Sequence, residues 1–398
     1  MIEKLLRKEV QDFLLEHEHE DEKILILKYH TLFDLSMGII ADQLSGRRKA
    51  KEKVPIYYKT RGIIYPPGLN LEQSSSERTA QFKEDVLDKM LDKKNTLVDL
   101  TGGFGVDAYF LSKIFNTIYF VEPNASLLSY AQHNHQTLGI VNILYHPSTS
   151  EEFLNLFNGK ADCVFIDPSR RSKTKQKAFK LSDCEPDVSN LMSTIFQKSD
   201  CILIKTSPLL DIQQGIKELK HVEKVWVVSV DNECKELLFF CRNGCEEEPT
   251  IMAVNLQGEH QDFEFNFTEE KSVVSKFSEP LTYLYEPNAS ILKAGAFKLM
   301  GEKFSLFKLH ASTHLYTSKE LNPDFPGRIF KIIHSVKPSA KNLKETFPEE
   351  KANVITRNYP LTTEELRKKT KLKDGGELYL LGFSGQAEKY LVAAERIK

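Results

Sequence analysis

The sequence predicts an α/β protein built on a parallel sheet, with smaller α+β domains towards its C-terminal end. A short apolar run, Thr96–Leu100, passes through a glycine-rich turn into a segment with helical spacing. Strand-like and helix-like segments then alternate as far as Arg242, which is the pattern of a parallel sheet. From Arg328 onward the segments read β-α-β-α-β-β, which is typical of a ferredoxin-like α+β sandwich.

Composition and charge narrow the class of protein. The 398 residues exceed one ordinary domain, and the 41% of hydrophobic residues is enough for several buried cores. No apolar run approaches the roughly 20 residues that a membrane span needs. The segment Met1–Val10 is charged and lacks the apolar core of a signal peptide, so a cytoplasmic location is expected.

Charge and cysteines are unevenly placed. The segment Ser278–Lys398 carries 20 Lys and Arg against 14 Asp and Glu, a net charge of +6 within a chain of net charge −2. A basic tail on an acidic body suggests a polyanionic partner, although a solvated lysine-rich surface explains it equally simply. The six cysteines form no C-x-x-C pair, so neither a disulfide framework nor a metal site is predicted.

The segment before the first sheet strand is predicted to be helical. Apolar spacing indicates helices over Ile2–Glu18 and Lys23–Leu44, followed by a basic linker at Ser45–Lys53 that can alternatively contact phosphate. One of the serines at 74–76 is expected to cap a helix that ends near Leu91, with Glu77 completing a capping box. Gln73 and these serines can hydrogen-bond a ligand carboxylate, but helix capping alone explains the serines equally well.

The glycine turn carries the first functional signal. Glycines let a backbone turn sharply and approach a ligand, and the helix that follows offers free N–H groups. Asp99, Gly103 and Gly105 fit the D-x-x-x-G-x-G turn of class I S-adenosylmethionine (SAM) methyltransferases. Gly103, Gly105 and Ala108 also fit the dinucleotide fingerprint G-x-G-x-x-A, so the turn by itself indicates an adenosine cofactor or no ligand at all.

Charged residues recur where the predicted strands end. Helices and strands are predicted over Thr117–Val121, Ala125–Leu138, Val141–Tyr145, Ser150–Phe157, Cys163–Ile166, Val188–Phe196, Cys201–Ile204, Ile212–Leu219, Lys224–Val230 and Glu236–Arg242. Asp99, Glu122, Asp167 and Lys205 each end or follow a strand, and ligands bind at the carboxyl ends of such sheets. The carboxylate of Glu122 is placed to accept both ribose hydroxyls of an adenosine, whether in NAD or in SAM.

The segment Asp167–Arg171, DPSRR, distinguishes SAM from NAD as the expected cofactor. Its position resembles the (D/N)-P-P-x loop of methyltransferases that act on nucleobase nitrogens, in which a proline turn holds the acid at the transfer site. An NAD-dependent oxidoreductase has no use for such a loop. The next predicted strand ends in a second proline-containing loop, Lys205–Asp211.

Several stretches together resemble the bacterial SAM-dependent methyltransferases that carry a THUMP-like domain. They are EQSSSERTAQFK, DLTGGFGVDAYFLS, FIDPSRR, KTSPLLD, YEPNASILKAGAF, HLYTS, FPGRIF and ITRNYPL. The resemblance implies a Rossmann-like class I methyltransferase sheet with an N-terminal helical appendage and C-terminal ferredoxin-like and THUMP-like domains. The implied boundaries are 1–68 for the helical region, 69–248 for the methyltransferase domain, 249–325 for a hairpin and ferredoxin-like segment, and 326–398 for the THUMP-like domain.

The resemblance also implies the site residues. The cofactor SAM is expected to contact Gln73, Asp99, Thr101, Gly103, Phe104, Gly105, Glu122, Pro123 and Asp167. Catalysis is assigned to Asp167, Pro168, Arg170 and Lys205, and no metal is expected. The segment Tyr145–Ser150 departs from the family because it has no acid for the adenine amino group, so a backbone group, Ser148 or Thr149 is expected instead.

The leading function is therefore methyl transfer from SAM, with RNA as the expected substrate and partner of the basic tail. Contacts to phosphate or base are expected from Lys293, His310, His314, Tyr316, Arg328, Arg357 and Asn358. A non-catalytic SAM- or RNA-binding protein and a small-molecule methyltransferase stay as alternatives. Cys184 alone lies in a loop after a strand end, and nothing fixes it near Asp167, so direct transfer to a nitrogen or oxygen is predicted.

Overall fold

The computed structural model describes residues 1–170, 180–257, 262–336 and 340–398. They form two compact units: Met1–Glu223 with Leu237–Glu247, and Lys224–Glu236 with Glu248–Lys398. Throughout the described ranges, every helix is too short or too polar to span a bilayer.

The first unit begins with a helical region around its own apolar core. Its elements are α1 (Ile2–Leu5), α2 (Lys8–Glu16), α3 (Glu22–Lys28), β1 (Thr31–Leu32), β2 (Leu35–Ser36), α4 (Met37–Lys53) and α5 (Pro55–Lys59). The single helix predicted over Ile2–Glu18 is wrong, because Arg7 adopts an extended conformation that separates α1 from α2. The second predicted helix, Lys23–Leu44, is likewise interrupted by the β1–β2 hairpin.

The predicted linker Ser45–Lys53 is instead the second half of α4. Basic side chains of this stretch pair with acids of the same unit, so the stretch is not a solvated connection. Arg47 Nε donates to Glu18 Oε2 at 2.9 Å, and Arg48 pairs with Glu22.

Two helices lead into the sheet, α6 (Gly68–Gln73) and α7 (Glu77–Met90). Ser76 caps α7 as expected, but the partner in its capping box is Thr79 and not Glu77. Glu77 is the first residue of the helix, and its carboxylate accepts the backbone N–H of Ile56 at 2.7 Å.

The sheet of the first unit follows. Its elements are β3 (Thr96–Asp99), α8 (Val106–Leu111), β4 (Thr117–Val121), α9 (Ala125–Thr137), β5 (Ile143–His146), α10 (Ser150–Leu156), β6 (Cys163–Ile166), β7 (Ser169–Arg170), a 3-10 turn (Leu181–Asp183), β8 (Cys184–Glu185), α11 (Val188–Phe196), β9 (Cys201–Thr206), α12 (Ile212–Leu219), β10 (Val222–Val230) and β11 (Glu233–Arg242). The boundary between the two units passes through β10 and β11.

The strand order in this unit is β11–β9–β6–β3–β4–β5, and only β11 is antiparallel. The chain moves outward in opposite directions on the two sides of β3, so a crevice opens at the carboxyl ends of β3 and β6. All residues of β6 and β9 are buried, as expected for central strands covered on both faces.

The second unit contains two sets of strands. Its further elements are β12 (Thr250–Leu256), β13 (Phe263–Phe265), α13 (Phe267–Ser272), β14 (Tyr283–Pro287), α14 (Ala289–Ala294), α15 (Leu299–Lys303), β15 (Phe307–His310), β16 (Thr313–Ser318), β17 (Gly327–Ser335), α16 (Ala340–Thr346), β18 (Asn353–Arg357), α17 (Thr363–Thr370), β19 (Leu378–Ser384) and β20 (Lys389–Arg396). In the first set, β10 is parallel to β12, and β12 is antiparallel to β13.

The second set is a seven-stranded sheet in the order β15–β16–β14–β17–β20–β19–β18. The β-α-β-α-β-β pattern predicted from Arg328 is confirmed as β17, α16, β18, α17, β19 and β20. The helix predicted over Asn288–Met300 ends early, because Gly295 takes a left-handed conformation with φ of 86° and closes α14. The interior strand β14 was not predicted, since a short run that ends in proline resembles a loop.

Candidate cofactor pocket

A pocket of about 390 Å³ opens at the carboxyl ends of β3, β4 and β6. All nine residues expected to contact a cofactor line it, namely Gln73, Asp99, Thr101, Gly103, Phe104, Gly105, Glu122, Pro123 and Asp167. Pro168 and Lys205 are not among its lining residues. The tertiary structure therefore brings together segments that lie up to about a hundred residues apart in the chain.

The glycine turn is confined to glycine for two different reasons. Gly105 has φ of 84°, and a Cβ there would lie 2.6 Å from the imidazole of His135. A Cβ on Gly102 would lie 2.3 Å from the ring of Phe120, which is completely buried. Gly103 has φ of 57°, but its nearest neighbour would be the Thr101 carbonyl oxygen at 3.8 Å, so the open space there belongs to the pocket.

Aromatic side chains pack against the glycine turn and hold it in place. His135 Nε2 lies 2.8 Å from the Gly105 carbonyl oxygen, and its Nδ1 lies 2.9 Å from the Tyr145 hydroxyl. Burial lowers the pKa of His135 to about 4, so the ring is neutral at pH 7 and donates one hydrogen bond while it accepts the other. The Phe104 ring packs on Tyr57 at 5.3 Å, so its side chain is part of the core and its backbone is the part that faces the pocket.

Two carboxylates hold the ends of β3 and β4. Asp99 Oδ1 accepts the Thr101 N–H at 3.0 Å, and complete burial raises the pKa of Asp99 well above its ordinary value. Glu122 accepts the Gly103 N–H at 2.9 Å through Oε2 and the Asn124 N–H at 2.8 Å through Oε1. Each Glu122 oxygen has a second lone pair, so the carboxylate can shape the glycine turn and also accept ligand hydroxyls.

Sequence reasoning missed a buried ion pair behind the turn. Lys83 of α7 is completely buried, and its Nζ lies 3.2 Å from Asp107 Oδ1, while Ser75 Oγ donates to Asp107 Oδ2 at 2.6 Å. Burial acts to raise the pKa of Asp107, but Lys83, Lys205 and the Ser75 hydroxyl outweigh it, and the pKa is lowered. A lysine on the apolar face of α7, between Ala80 and Val86, was the signal available in the sequence.

Asp167 is held from two sides. Its backbone N–H donates to Thr101 Oγ1 at 2.6 Å, and its carboxylate pairs with the ammonium group of Lys205. The strand predicted over Cys201–Ile204, with Lys205 at its end, is longer than expected, because β9 continues to Thr206 and Lys205 pairs with Leu238 of β11. The long side chain of Lys205 still reaches Asp167 from within the strand.

The residues after Asp167 form a short ribbon in which β7 pairs with β8. Arg170 lies opposite Cys184 in this ribbon, while Arg171 falls outside the described residues. Cys184 is completely buried, and its thiol donates to the Lys180 carbonyl at 3.7 Å. Glu185 and Pro186, which the sequence did not single out, line the pocket beside Ser169.

At the end of β5 the pocket is lined by Thr149, Ser150 and Glu151. Ser150 Oγ donates to the Leu100 carbonyl at 2.8 Å, and Thr149 caps α10, so both hydroxyls already have partners. The side chain of Glu151 is exposed at the pocket edge. Sequence reasoning stopped one residue short of this acid.

The lining of the pocket is strongly acidic. Six carboxyl side chains line it, and among its described lining residues none is Lys, Arg or His; the six are Asp99, Asp107, Glu122, Glu151, Asp167 and Glu185. Lys83 and Lys205 are each paired with one of these acids. Such a pocket favours a cationic ligand over one that carries a diphosphate. In the part of the chain that is described, no cluster of metal-ligating side chains was found.

The predicted tail residues lie in the second unit, and most of them have structural partners. Arg328 and Arg357 both pair with Glu286, a carboxylate that is only 2% exposed. Tyr316 is completely buried and its hydroxyl donates to the Phe297 carbonyl at 2.6 Å, so a contact of its ring with a base is excluded. His314 stacks on Phe297 with centroids 3.6 Å apart.

The remaining predicted tail residues are Lys293, His310 and Asn358. Lys293 lies on α14 and His310 ends β15. Asn358 Nδ2 donates to Thr313 Oγ1 at 3.1 Å.

Two family models match the second unit. One is described as a ferredoxin-like domain and matches residues 283–326, and the other is described as THUMP domain-like and matches residues 327–396. No curated protein matches the sequence significantly.

A solved structure resembles the whole chain. It is described as a "putative methyltransferase" from Porphyromonas gingivalis W83, is 29% identical, covers 100% of this chain and 99% of its own, and has a TM-score of 0.86. The chain has the class I methyltransferase fold, followed by ferredoxin-like and THUMP-like domains. The resemblance and the fold class predicted from the sequence are thereby confirmed.

Two further solved structures are similar to part of the chain. An rRNA methylase from Streptococcus thermophilus is 16% identical, covers 40% of this chain and 94% of its own, and has a TM-score of 0.32. A second structure, described as a "putative methyltransferase" from Streptococcus mutans in complex with SAH, is 15% identical. It covers 41% of this chain and 96% of its own, and has a TM-score of 0.31.

Proposed function

We propose that this protein is a SAM-dependent methyltransferase that acts on RNA by direct transfer to a nitrogen or oxygen. The observation that carries the proposal is the pocket itself, in which the glycine turn, Glu122 and Asp167 meet in a strongly acidic environment. SAM carries a sulfonium and an ammonium group, whereas NAD carries two phosphates, so the acidic lining supports the first cofactor and opposes the second.

The residues of the pocket fit the parts of SAM. Glu122 would accept the ribose hydroxyls, and the open space over Gly103 leaves room that a side chain would fill. Glu151, Thr149 or a backbone group would hold the adenine amino group, and Gln73 and Asp99 would bind the amino-acid end. When bound, SAM would supply an electrophilic methyl group for transfer.

Asp167 is the residue best placed to orient the accepting atom. Its carboxylate can accept a hydrogen bond from an N–H or O–H group of the substrate. Thr101 holds the backbone of Asp167, and Lys205 restrains the rotation of its carboxylate. Catalysis of this kind depends on positioning the reacting atoms in line. We assign Pro168 to the rigid turn, Arg170 to a contact with phosphate or with the acid, and Lys205 to holding Asp167.

RNA is proposed as the substrate because the THUMP-like domain lies in the part of the chain with a net charge of +6. The domain boundaries at 68, 248 and 325 and the cytoplasmic location belong to the same proposal.

Methyl transfer to RNA is tested by incubating the protein with methyl-labelled SAM and total RNA, and by mass spectrometry of nucleosides from cells with and without the gene. A modified nucleoside that is absent without the gene would identify the methylated atom.

The Glu122→Ala variant is expected to bind S-adenosylhomocysteine more weakly by about 1.5–3 kcal/mol, the cost of losing charged hydrogen bonds to ribose. Titration calorimetry measures this loss, and wild-type protein should show no heat of binding with NAD. Glu122→Gln keeps one acceptor oxygen and should lose less. The Asp88→Ala variant removes an acid from an exposed ion pair with Lys94 and serves as the control. Equal affinities for wild type and Glu122→Ala would refute the ribose assignment.

RNA binding by the full chain is expected to weaken steeply with salt. Contacts with phosphates release counterions, and log K should fall with log salt by about 0.7 per single-strand phosphate contact. Fluorescence anisotropy with a labelled RNA hairpin at several salt concentrations gives this slope. Binding that does not depend on salt, or no binding at low salt, would mean that the basic tail has only a structural role.

No covalent intermediate with cysteine is expected. Methylation at C5 of a pyrimidine usually requires a thiolate that adds to C6, but no cysteine is among the described residues that line the pocket. The thiol of Cys184 is buried with a backbone acceptor, so Cys184→Ser should keep nearly all activity. An adduct trapped with 5-fluoropyrimidine RNA, together with an inactive Cys184→Ser variant, would contradict direct transfer.

A further inference from the structure

The second unit has a pocket of its own, of about 280 Å³, between α15, β15 and the extended segment before β14. This segment follows β15 closely. The backbone N–H of Lys308 donates to the Lys276 carbonyl at 2.8 Å, and the N–H of Ser278 donates to the Lys308 carbonyl at 3.2 Å. We call this cavity the lysine pocket and define it by Lys276, Phe297, Lys298, Phe307 and Lys308.

Three lysines give this pocket a positive charge. Glu302 is the one acid among the described lining residues, against Lys276, Lys298 and Lys308. The ammonium groups of Lys298 and Lys308 donate to backbone carbonyls, those of Lys271 at 3.3 Å and Ala311 at 2.7 Å. A second acid, Glu270, accepts the backbone N–H groups of Lys298 and Leu299 and offsets part of the charge of Lys308. Three lysines against Glu302 and Glu270 leave a net positive charge for an anionic ligand.

Aromatic rings lie beside the lysines. Phe297 is backed by His314, with the two rings stacked at 3.6 Å and 18°, and Lys308 Nζ lies 5.5 Å from the Phe297 ring centroid. Burial, assisted by Lys308, lowers the pKa of His314 to about 4, so the stacked pair is uncharged at pH 7. The side chains of Phe277 and Phe307 are exposed at 41% and 39%, although aromatic rings are usually covered.

We propose that the lysine pocket binds one unpaired nucleotide of an RNA chain, with the base against Phe297 or Phe307 and the phosphate against the lysines. The combination of aromatic faces and ammonium groups is the one that proteins use for single-stranded nucleic acid. An apolar peptide would leave the net positive charge of the pocket without a compensating anion, and an inorganic anion would leave the rings exposed. This inference rests on the proposed action on RNA and names a place on the second unit that holds the substrate.

The test uses the full chain and fluorescein-labelled octauridine in an anisotropy titration. Lys276→Glu and Phe307→Ala should each weaken binding about tenfold, which corresponds to about 1.4 kcal/mol and lies within the range for one stacked base. The control variants are Lys160→Glu and Leu321→Ala, which change an exposed lysine of the first unit and an exposed apolar residue outside the pocket. They should bind octauridine as the wild type does. Thermal unfolding of the full chain, followed by circular dichroism, verifies that all four variants are folded.

Photocrosslinking provides a second readout. An octamer that contains 4-thiouridine should attach to a peptide with Phe297 or Phe307, and crosslinks confined to other peptides would overturn the inference. Octauridine binding that is unchanged in both pocket variants would also overturn it, while the proposed methyl transfer to RNA would stand. If the wild-type chain binds neither octauridine nor the RNA hairpin, both the pocket assignment and RNA as the substrate are wrong.

Discussion

Replacing Asp167 with alanine is expected to stop methyl transfer while the protein still binds SAM. Asp167 is the acid at the pocket whose orientation is set both by a backbone hydrogen bond to Thr101 and by the ammonium group of Lys205. Loss of a positioned acid–base or hydrogen-bonding group typically lowers the rate by about 10²–10⁴-fold. Single-turnover transfer of labelled methyl groups to RNA, with calorimetry of SAM binding, separates the two effects.

The substitution also removes the ion pair between Asp167 and Lys205. Lys205 is only 8% exposed, and loss of an ion pair at a buried charge lowers stability, so the variant must be compared with others at the same pair. Asp167→Asn keeps an oxygen acceptor for Lys205 and should fold like the wild type, yet still lose most transfer. If Lys205 acts only through Asp167, Lys205→Met should lower the rate of transfer less than Asp167→Ala does. The double variant should then be no slower than Asp167→Ala. Transfer by Asp167→Ala close to the wild-type rate would refute its role.

Alanine in the glycine turn is expected to have the second large effect. At Gly105 the methyl group would meet His135 at 2.6 Å while the residue keeps φ of 84°. A left-handed conformation costs about 1–2 kcal/mol for a residue with a Cβ, and an overpacked core adds about 1–3 kcal/mol. Gly105→Ala should therefore lower the thermal unfolding midpoint of the protein and abolish cofactor binding.

Two other glycines serve as matched controls. Gly139 has φ of 81° with nothing within 4 Å of a built Cβ, so Gly139→Ala measures the cost of the left-handed conformation alone. Gly103→Ala has the same backbone cost and no close neighbour, but its methyl group enters the pocket. Gly103→Ala should have the same thermal unfolding midpoint as Gly139→Ala, but it should bind S-adenosylhomocysteine more weakly than Gly139→Ala does. Equal binding by Gly103→Ala and Gly139→Ala would place the cofactor elsewhere.

Local patterns in the sequence were sufficient for the fold class and for the position of the pocket. Strands such as Cys163–Ile166 and helices such as Ile212–Leu219 were predicted with the bounds that the structure has. Apolar runs and helical spacing depend on neighbours in the chain, so they can be recognised without knowing the fold. Parallel strands end at one edge of a sheet, which is why acids as distant as Asp99 and Asp167 could be expected to meet.

Only the tertiary structure decided how those groups are paired. Lys83 and Asp107 are 24 positions apart, and although Lys83 falls on the apolar face of α7, the sequence does not indicate which carboxylate it would meet. The same is true of the basic stretch in α4, which resembles a linker until its acidic partners are brought close by folding. Pairing between residues that are distant in sequence depends on the packing of whole elements, and short-range patterns carry no record of it.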